Sequence, residues 1–361
     1  MNLRDIARWR LHTQRLCGRR YASPTDAVGG LLGVQAENYG QTLWALAERT
    51  VDTSSAQLQR LFDAGAILRT HVLRPTWHFA LRDDIRWLLE FTAPRVRRSW
   101  SQLVRALDLD TATIDRSLDV ITGALDGGTH LTRPALAEHL TAAGLPGDGA
   151  RVGALLSHAE LSAAVCSGVM QGNQQTFALL DERAPAARRL DRDEARAEIV
   201  VRYFRGHGPA TERDLAYWAT MTLTDVRAGL ADMADQLDSV EHDGRTYWFG
   251  SGPPGGGALE PRAHLLLTLD EYHNGYQDSR YSLDADGIVP RRRGANVGMT
   301  LVDGQMVGDM KRTVGGDAVT FDISLFREVT TDETAWVHAA AERYATFLGV
   351  DQARVRLAGA S

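Results

Sequence analysis

Cysteine is nearly missing from this chain of 361 residues: Cys17 and Cys166 are the only two, far apart and outside any C-x-x-C spacing. That excludes a disulfide framework and a thiolate zinc site, and it points to a reducing, cytoplasmic compartment. Long apolar runs are missing too. The opening MNLRDIARWRLHTQRL carries charge throughout with no apolar h-region, and no later stretch approaches the roughly 18 apolar residues that span a bilayer. Export and membrane insertion are therefore not expected. There is no H-E-x-x-H, no Walker lysine loop and no G-x-S-x-G elbow. The eleven histidines are scattered, and the close pair on an expected strand, His71 and His78, reads as structural rather than ligating. Neither a metal nor a cofactor is expected.

A basic excess is also lacking. Forty Lys and Arg against 46 Asp and Glu leave a net charge of -6, which by itself argues against a nucleic-acid partner. Distribution qualifies this, because lysine is reduced to Lys311 alone and nearly all the positive charge is arginine. The rigid fork of that side chain suits phosphates and base edges.

What remains is an ordinary soluble composition, 44% hydrophobic and 24% charged, long enough for two or three units. The expected class is α+β. An amphipathic helix covers Leu3 to Leu16, a second opens at Ser23-Pro24 and a third runs from Ser55 to Ala64. The β-branched and aromatic stretch Ile67 to Phe79, with Pro75 at its centre, follows as a strand pair. Helices followed by a β-ribbon are the pattern of a winged helix, here over residues 1–82. Connecting helices fill 83–127. The order recurs over 128–185, where Thr132 caps a helix and Ala164 to Leu180 forms the ribbon, and over 186–250, where a hairpin turns at Asp243-Gly244. A shared T-x-x-x-L-A begins both later copies, at Thr132 and at Thr211, and argues for a tandem repeat. A linker, Gly250 to Gly257, then leads into a β-rich module over 258–361 with Asp-Gly turns at 286-287 and 303-304 and a helix from Thr334 to Leu348.

The most informative short stretch is Gly33-Val-Gln-Ala-Glu-Asn-Tyr-Gly40. In an extended segment Gln35 and Glu37 project to the same side and form an amide and carboxylate pair; on a helix end they are a solvated cap. Both readings stand on the residues alone. The arrangement V-Q-A-E-N-Y with L-W-A-L-A-E-R-T (43–50), then R-T-H-V-L-R-P-T-W-H-F (69–79) and L-D-E-Y-H-N-G-Y-Q-D (269–278), resembles the bacterial winged-helix DNA glycosylases typified by AlkZ and its YcaQ-like relatives. The likeness extends over nearly the whole chain. It implies three tandem winged-helix units plus a C-terminal β-barrel-like module forming a concave DNA channel. It also implies a catalytic Q-x-Q or Q-x-D element, whose place Gln35-Ala36-Glu37 occupies, with Glu37 one methylene longer than the Asp of the carboxylate branch.

The chemistry fits these residue types. Cleaving an N-glycosidic bond passes through an oxocarbenium-like transition state, which a carboxylate stabilises while serving as base for water. Glu37 suits that role, and the Gln35 amide would orient the water or the deoxyribose. An N7-alkylated purine is already cationic and leaves as a neutral base, so no strong general acid is needed. A lyase step needs an unprotonated amine, which only Lys311 and the amino terminus offer; a monofunctional enzyme is expected. Candidate DNA contacts are Arg95, Arg97 and Arg98 in one arginine-rich run, Arg291, Arg292 and Arg293 with Lys311 and Arg312 in the β-rich module, and Arg69, His71 and Arg74 on the first wing.

The resulting expectation is a monomeric cytoplasmic, nucleoid-associated glycosylase acting on double-stranded DNA that carries bulky or crosslinking alkyl-purine adducts, in natural-product self-resistance or alkylation repair. Its rival is a non-catalytic winged-helix DNA-binding regulator. Three tandem units and no dimerisation coiled coil weigh against the rival.

Overall fold

The computed structural model describes residues 2–252, 259–294 and 296–359. Residues 253–257 of the expected linker, and residue 258 at the start of the β-rich module, lie outside them. Two compact units share the chain: one takes Met1–Leu58, Ile199–Trp218 and Leu223–Ser361, the other Gln59–Glu198 and Ala219–Thr222.

In the second unit the strands Ile67–His71 and Trp77–Leu81 form an antiparallel hairpin with Arg69 opposite Phe79. The long helix Ile85–Ala106 follows, with Pro94 inside it. The helices Thr111–Leu125, Arg133–Ala142 and Gly149–Leu161 then pack with a three-stranded sheet of Leu131–Thr132, Thr176–Leu179 and Val165–Ser167, in that order. Thr132 caps its helix by accepting from the Ala135 amide, which satisfies a donor that would otherwise lack a partner. Ile121, Leu125, Leu136, Leu140, Val152, Leu155 and Val165 belong to the core; on each helix they are spaced by three or four, which is that of one apolar stripe.

The first unit holds the helices Leu3–Thr13, Pro24–Leu31 and Tyr39–Ala47. Further along are Glu212–Trp218 and Leu223–Asp232, followed by the hairpin Leu237–His242 and Arg245–Gly250. That hairpin turns at Asp243 and Gly244 with φ of 49° and 69°, the positive pair that a two-residue type I′ turn needs.

The β-rich module departs from the barrel that the resemblance implies. Its strands Ala263–Leu266, Gly298–Val302, Gln305–Gly315, Ala318–Leu325 and Gln352–Ala358 make a five-stranded sheet paired in that sequence, and no closed barrel is found among the described residues. The first four strands are antiparallel; the last lies parallel to Ala318–Leu325, after the crossover helix Thr331–Leu348. This helix is the physical reason for the open form. It packs against both end strands, and its Tyr344 meets Trp44 edge-on and its Phe347 meets it at a tilt, at 4.7 and 5.4 Å between ring centres. The apolar face that closure would have buried is thus covered by a helix instead.

Candidate active site

The helix Pro24–Leu31, capped by Ser23, ends where Leu32 turns to φ 66°. It is held close to the helix Arg192–His207: a Cβ added to Gly206 would lie 2.3 Å from the Gly30 carbonyl oxygen. Arg202 donates to the Gly29 carbonyl at 2.6 Å. The chain then extends as Val34–Gln35 and re-enters a helix at Tyr39, with Asn38 accepting from the Gln41 amide. The capping function therefore belongs to Asn38, and Gln35 lies in extended backbone. Gln35 is buried, Ala36 fully so, and Glu37 is exposed.

Beneath Gln35 lies a network of buried polar groups drawn from the 269–278 stretch. The Gln35 amide donates to Glu271 Oε1 at 2.7 Å, and its carbonyl accepts from Thr42 Oγ1 at 3.0 Å. Glu271 Oε2 accepts from Trp218 Nε1 at 2.9 Å and faces His207 Nε2 at 3.4 Å. Asp270 is paired bidentately with Arg49 at 2.7 and 2.9 Å, and Arg49 also donates to Gln14 Oε1 at 2.7 Å. Gln14 in turn donates to Tyr276 Oη at 3.0 Å, and that hydroxyl donates to the His207 carbonyl at 2.6 Å. Arg49 is wholly buried, and Asp270 with neighbouring charges raises its pKa against the opposing effect of burial. Burial lowers the pKa of His207 despite Glu271.

The expected DNA-contacting residues fall into two kinds of environment. On the hairpin of the second unit, Arg69 lies 4.3 Å over the Trp77 ring and donates to Gln175. His71 is bonded to the buried Glu160, which also accepts from Trp77 Nε1 at 3.1 Å, while Arg74 approaches His78 at 3.4 Å. All three are buried; the strand that carries Arg69 and His71 packs against Val165–Ser167, whose Ser167 hydroxyl takes the Arg69 amide. Arg95 donates to the Thr220 carbonyl at 2.6 Å and Arg97 to the Leu161 carbonyl at 2.7 Å, while Arg98 is exposed. In the first unit Arg291, Arg292 and Lys311 are exposed. Arg293 is paired with Asp309 at 2.6 Å, and Arg312 donates to the Tyr344 hydroxyl.

Sequence reasoning brought Gln35 and Glu37 onto one short segment but missed Glu271, Asp270, His207, Trp218 and Arg49. The signal available was Asp270-Glu271 inside a stretch already singled out; its partners lie 221 and 236 residues away. Among the described residues there is no cluster of His, Cys, Asp and Glu able to hold a metal ion, and no helix long and apolar enough to cross a membrane.

Known proteins resemble the chain in sequence and in fold. An interstrand DNA cross-link repair glycosylase of Streptomyces sahachiroi is 27% identical over 265 residues, 67% of this chain and 68% of that protein. The solved structure of Streptomyces sahachiroi DNA glycosylase AlkZ superposes with a TM-score of 0.81 at 23% identity, covering 99% of this chain and all of that one. The family model for DNA glycosylase AlkZ-like proteins matches residues 28–347, and the chain therefore belongs to the AlkZ-like DNA glycosylases, enzymes that hydrolyse N-glycosyl bonds.

Proposed function

We propose that this chain is a monofunctional glycosylase that releases N-alkylated purines, bulky and crosslinking adducts included, from double-stranded DNA. The observation that carries the reading is the fixed extended backbone at Gln35, gripped at its amide by Glu271 and at its carbonyl by Thr42. A rigid support of this kind is what a catalytic constellation requires. Glu37, exposed two residues on, takes the proton of a water whose oxygen forms the new bond to C1′. The C1′–N9 bond breaks and its electron pair returns to the purine, cancelling the charge that N7 alkylation placed there. The Gln35 amide orients the water or the sugar, and no cofactor is required.

Lys311 lies on the strand Gln305–Gly315 and projects to solvent, which favours hydrolysis over a lyase step. Arg98, Arg291, Arg292 and Lys311, all exposed, are the cations best disposed to meet phosphate. The three stretches that pair helices with a β-ribbon would act as winged-helix units, in a monomer working on the nucleoid. Action on crosslinks follows the name of the 27%-identical relative.

The test is to incubate the protein with duplex DNA carrying N7-alkylguanine and to measure free base and abasic sites. Release of base with no strand break is expected; binding without release would favour the regulator instead.

A further inference from the structure

From Ser162 to Leu179 the chain carries no charged side chain. This run holds the hairpin of the strands Val165–Ser167 and Thr176–Leu179, joined through residues 168–175. The other hairpins among the described residues turn through a charged residue, Arg74, Asp243, Asp303 or Asp317. Here the turn offers amides. Gln171, Asn173 and Gln174 are exposed, and their side chains bond to no protein group among the contacts described. Val169 beside them is 38% exposed, so apolar surface stands next to the amides. The base of the turn is firmly held. Thr176 Oγ1 donates to the Val169 carbonyl at 2.5 Å and the Gly168 amide donates to the Thr176 carbonyl at 2.8 Å. The Val169 amide donates to His130 Nδ1 at 3.0 Å, the Met170 amide donates to Asp63 Oδ1 at 3.1 Å, and Arg69 donates to Gln175. At the end of the turn Gln171 and Gln174 exchange backbone hydrogen bonds at 2.9 and 3.0 Å, with Gly172 at φ 60°. A loop fixed in advance avoids an ordering cost that binding would otherwise carry.

Phosphate is met by cations, and this turn has none; base edges are met by groups that both donate and accept, as Asn and Gln side chains do. Amides with an apolar side chain beside them are also what proteins carry into the minor groove. We propose that the hairpin tip 168–175 is a base-contacting site for the minor groove of duplex DNA: Gln171, Asn173 and Gln174 hydrogen-bond to base edges, and Val169 packs beside them against the groove. The inference rests on the proposed action on duplex DNA and adds to it a contact with bases, where the exposed arginines supply contacts with the backbone. Arg69 then serves the site from inside the protein, holding Gln175 at the base of the turn.

The test combines Gln171→Ala, Asn173→Ala and Gln174→Ala in the full chain and measures equilibrium binding to unmodified A·T and G·C duplexes, and to the G·C duplex with inosine in place of guanine, over a range of salt. Affinity should fall about 10-fold, by unequal factors on the A·T and G·C duplexes, because the two present different minor-groove edges. The log K against log salt slope should stay as in the wild type, since no phosphate contact is lost. Inosine lacks the 2-amino group that guanine shows in the minor groove, so the loss on the inosine duplex should match that on A·T. Should the triple variant not fold, Asn173→Ala alone carries the test, with a smaller loss and the same unchanged slope. Unchanged affinity, an equal loss on A·T and G·C, indifference to inosine, or a shallower salt slope overturns the groove contact and leaves the proposed function standing. A wild type that binds duplex in the expected pattern and releases no base overturns the proposed function and leaves the groove contact standing; a wild type that binds no duplex overturns both.

Discussion

The helix that begins just after Gln35 ends at Glu48, and what holds that end is a buried ionic cluster whose strength can be read from pH. Glu48 accepts from His264 Nδ1 at 2.8 Å and from Arg343 at 2.6 Å, and Arg343 also binds the Ala263 carbonyl at 2.8 Å. One carboxylate therefore ties the helix Tyr39–Ala47 to the edge strand and to the helix Thr331–Leu348. Burial alone would raise the Glu48 pKa; the Arg343 charge and the hydrogen bonds from His264 and Arg343 outweigh it and hold the group at about 2, against an ordinary 4.5. That difference corresponds to about 3 kcal/mol of native stabilisation. Because the folded value is depressed, the stabilisation is complete above about pH 5 and is lost as pH falls, with about 2 kcal/mol gone by pH 3. Glu48→Gln removes the titration. Amide hydrogen exchange of Thr331–Leu348, compared between wild type and variant at the same pH, isolates the term. The variant should open more readily at pH 7, and the gap between the two should narrow by about 2 kcal/mol, roughly 30-fold in the opening constant, at pH 3. An equal gap at both pH values would refute the argument that this ion cluster holds the end of the helix Tyr39–Ala47.

Three further outcomes are expected. Glu37→Gln, at an exposed position, should leave stability within about 0.5 kcal/mol and lower single-turnover excision by roughly 10²- to 10⁴-fold with DNA affinity retained; unchanged excision removes Glu37 from the mechanism. Borohydride should trap no covalent protein–DNA adduct, and strand breaks should appear only after alkali; efficient trapping would assign a lyase step. Replacing Arg291, Arg292 and Arg293 together with Ala should weaken binding to modified and unmodified duplexes alike. Since Arg293 is engaged by Asp309, the log K against log salt slope should become shallower by about two units rather than three, and a slope that does not change would make the loop a solvated one.

How far the chain could be read without its structure follows from the range of the forces involved. Helix starts at Ser23-Pro24 and Thr132 and the turn at Asp243-Gly244 were legible because a cap or a positive-φ pair is decided within about four residues. The segment Gln35-Ala36-Glu37 could be singled out from its neighbours, and the family was legible. Tertiary structure decided what that segment rests on. Whether Gln35 was extended or part of a helix cap could not be told from its neighbours, because the group that holds its amide, Glu271, lies 236 residues away. The open sheet is a second case. Its last strand is parallel and arrives through a helix, and only the packing of that helix on both end strands shows why the module does not close. Arginine is the third, since composition records the charge but not its partner: Arg69, Arg293 and Arg312 are engaged inside the protein, whereas Arg98, Arg291 and Arg292 face solvent. Local sequence sets elements and motifs through short-range geometry; the pairing of buried charges depends on which distant groups share a low-dielectric interior, and that is settled only when the chain has folded.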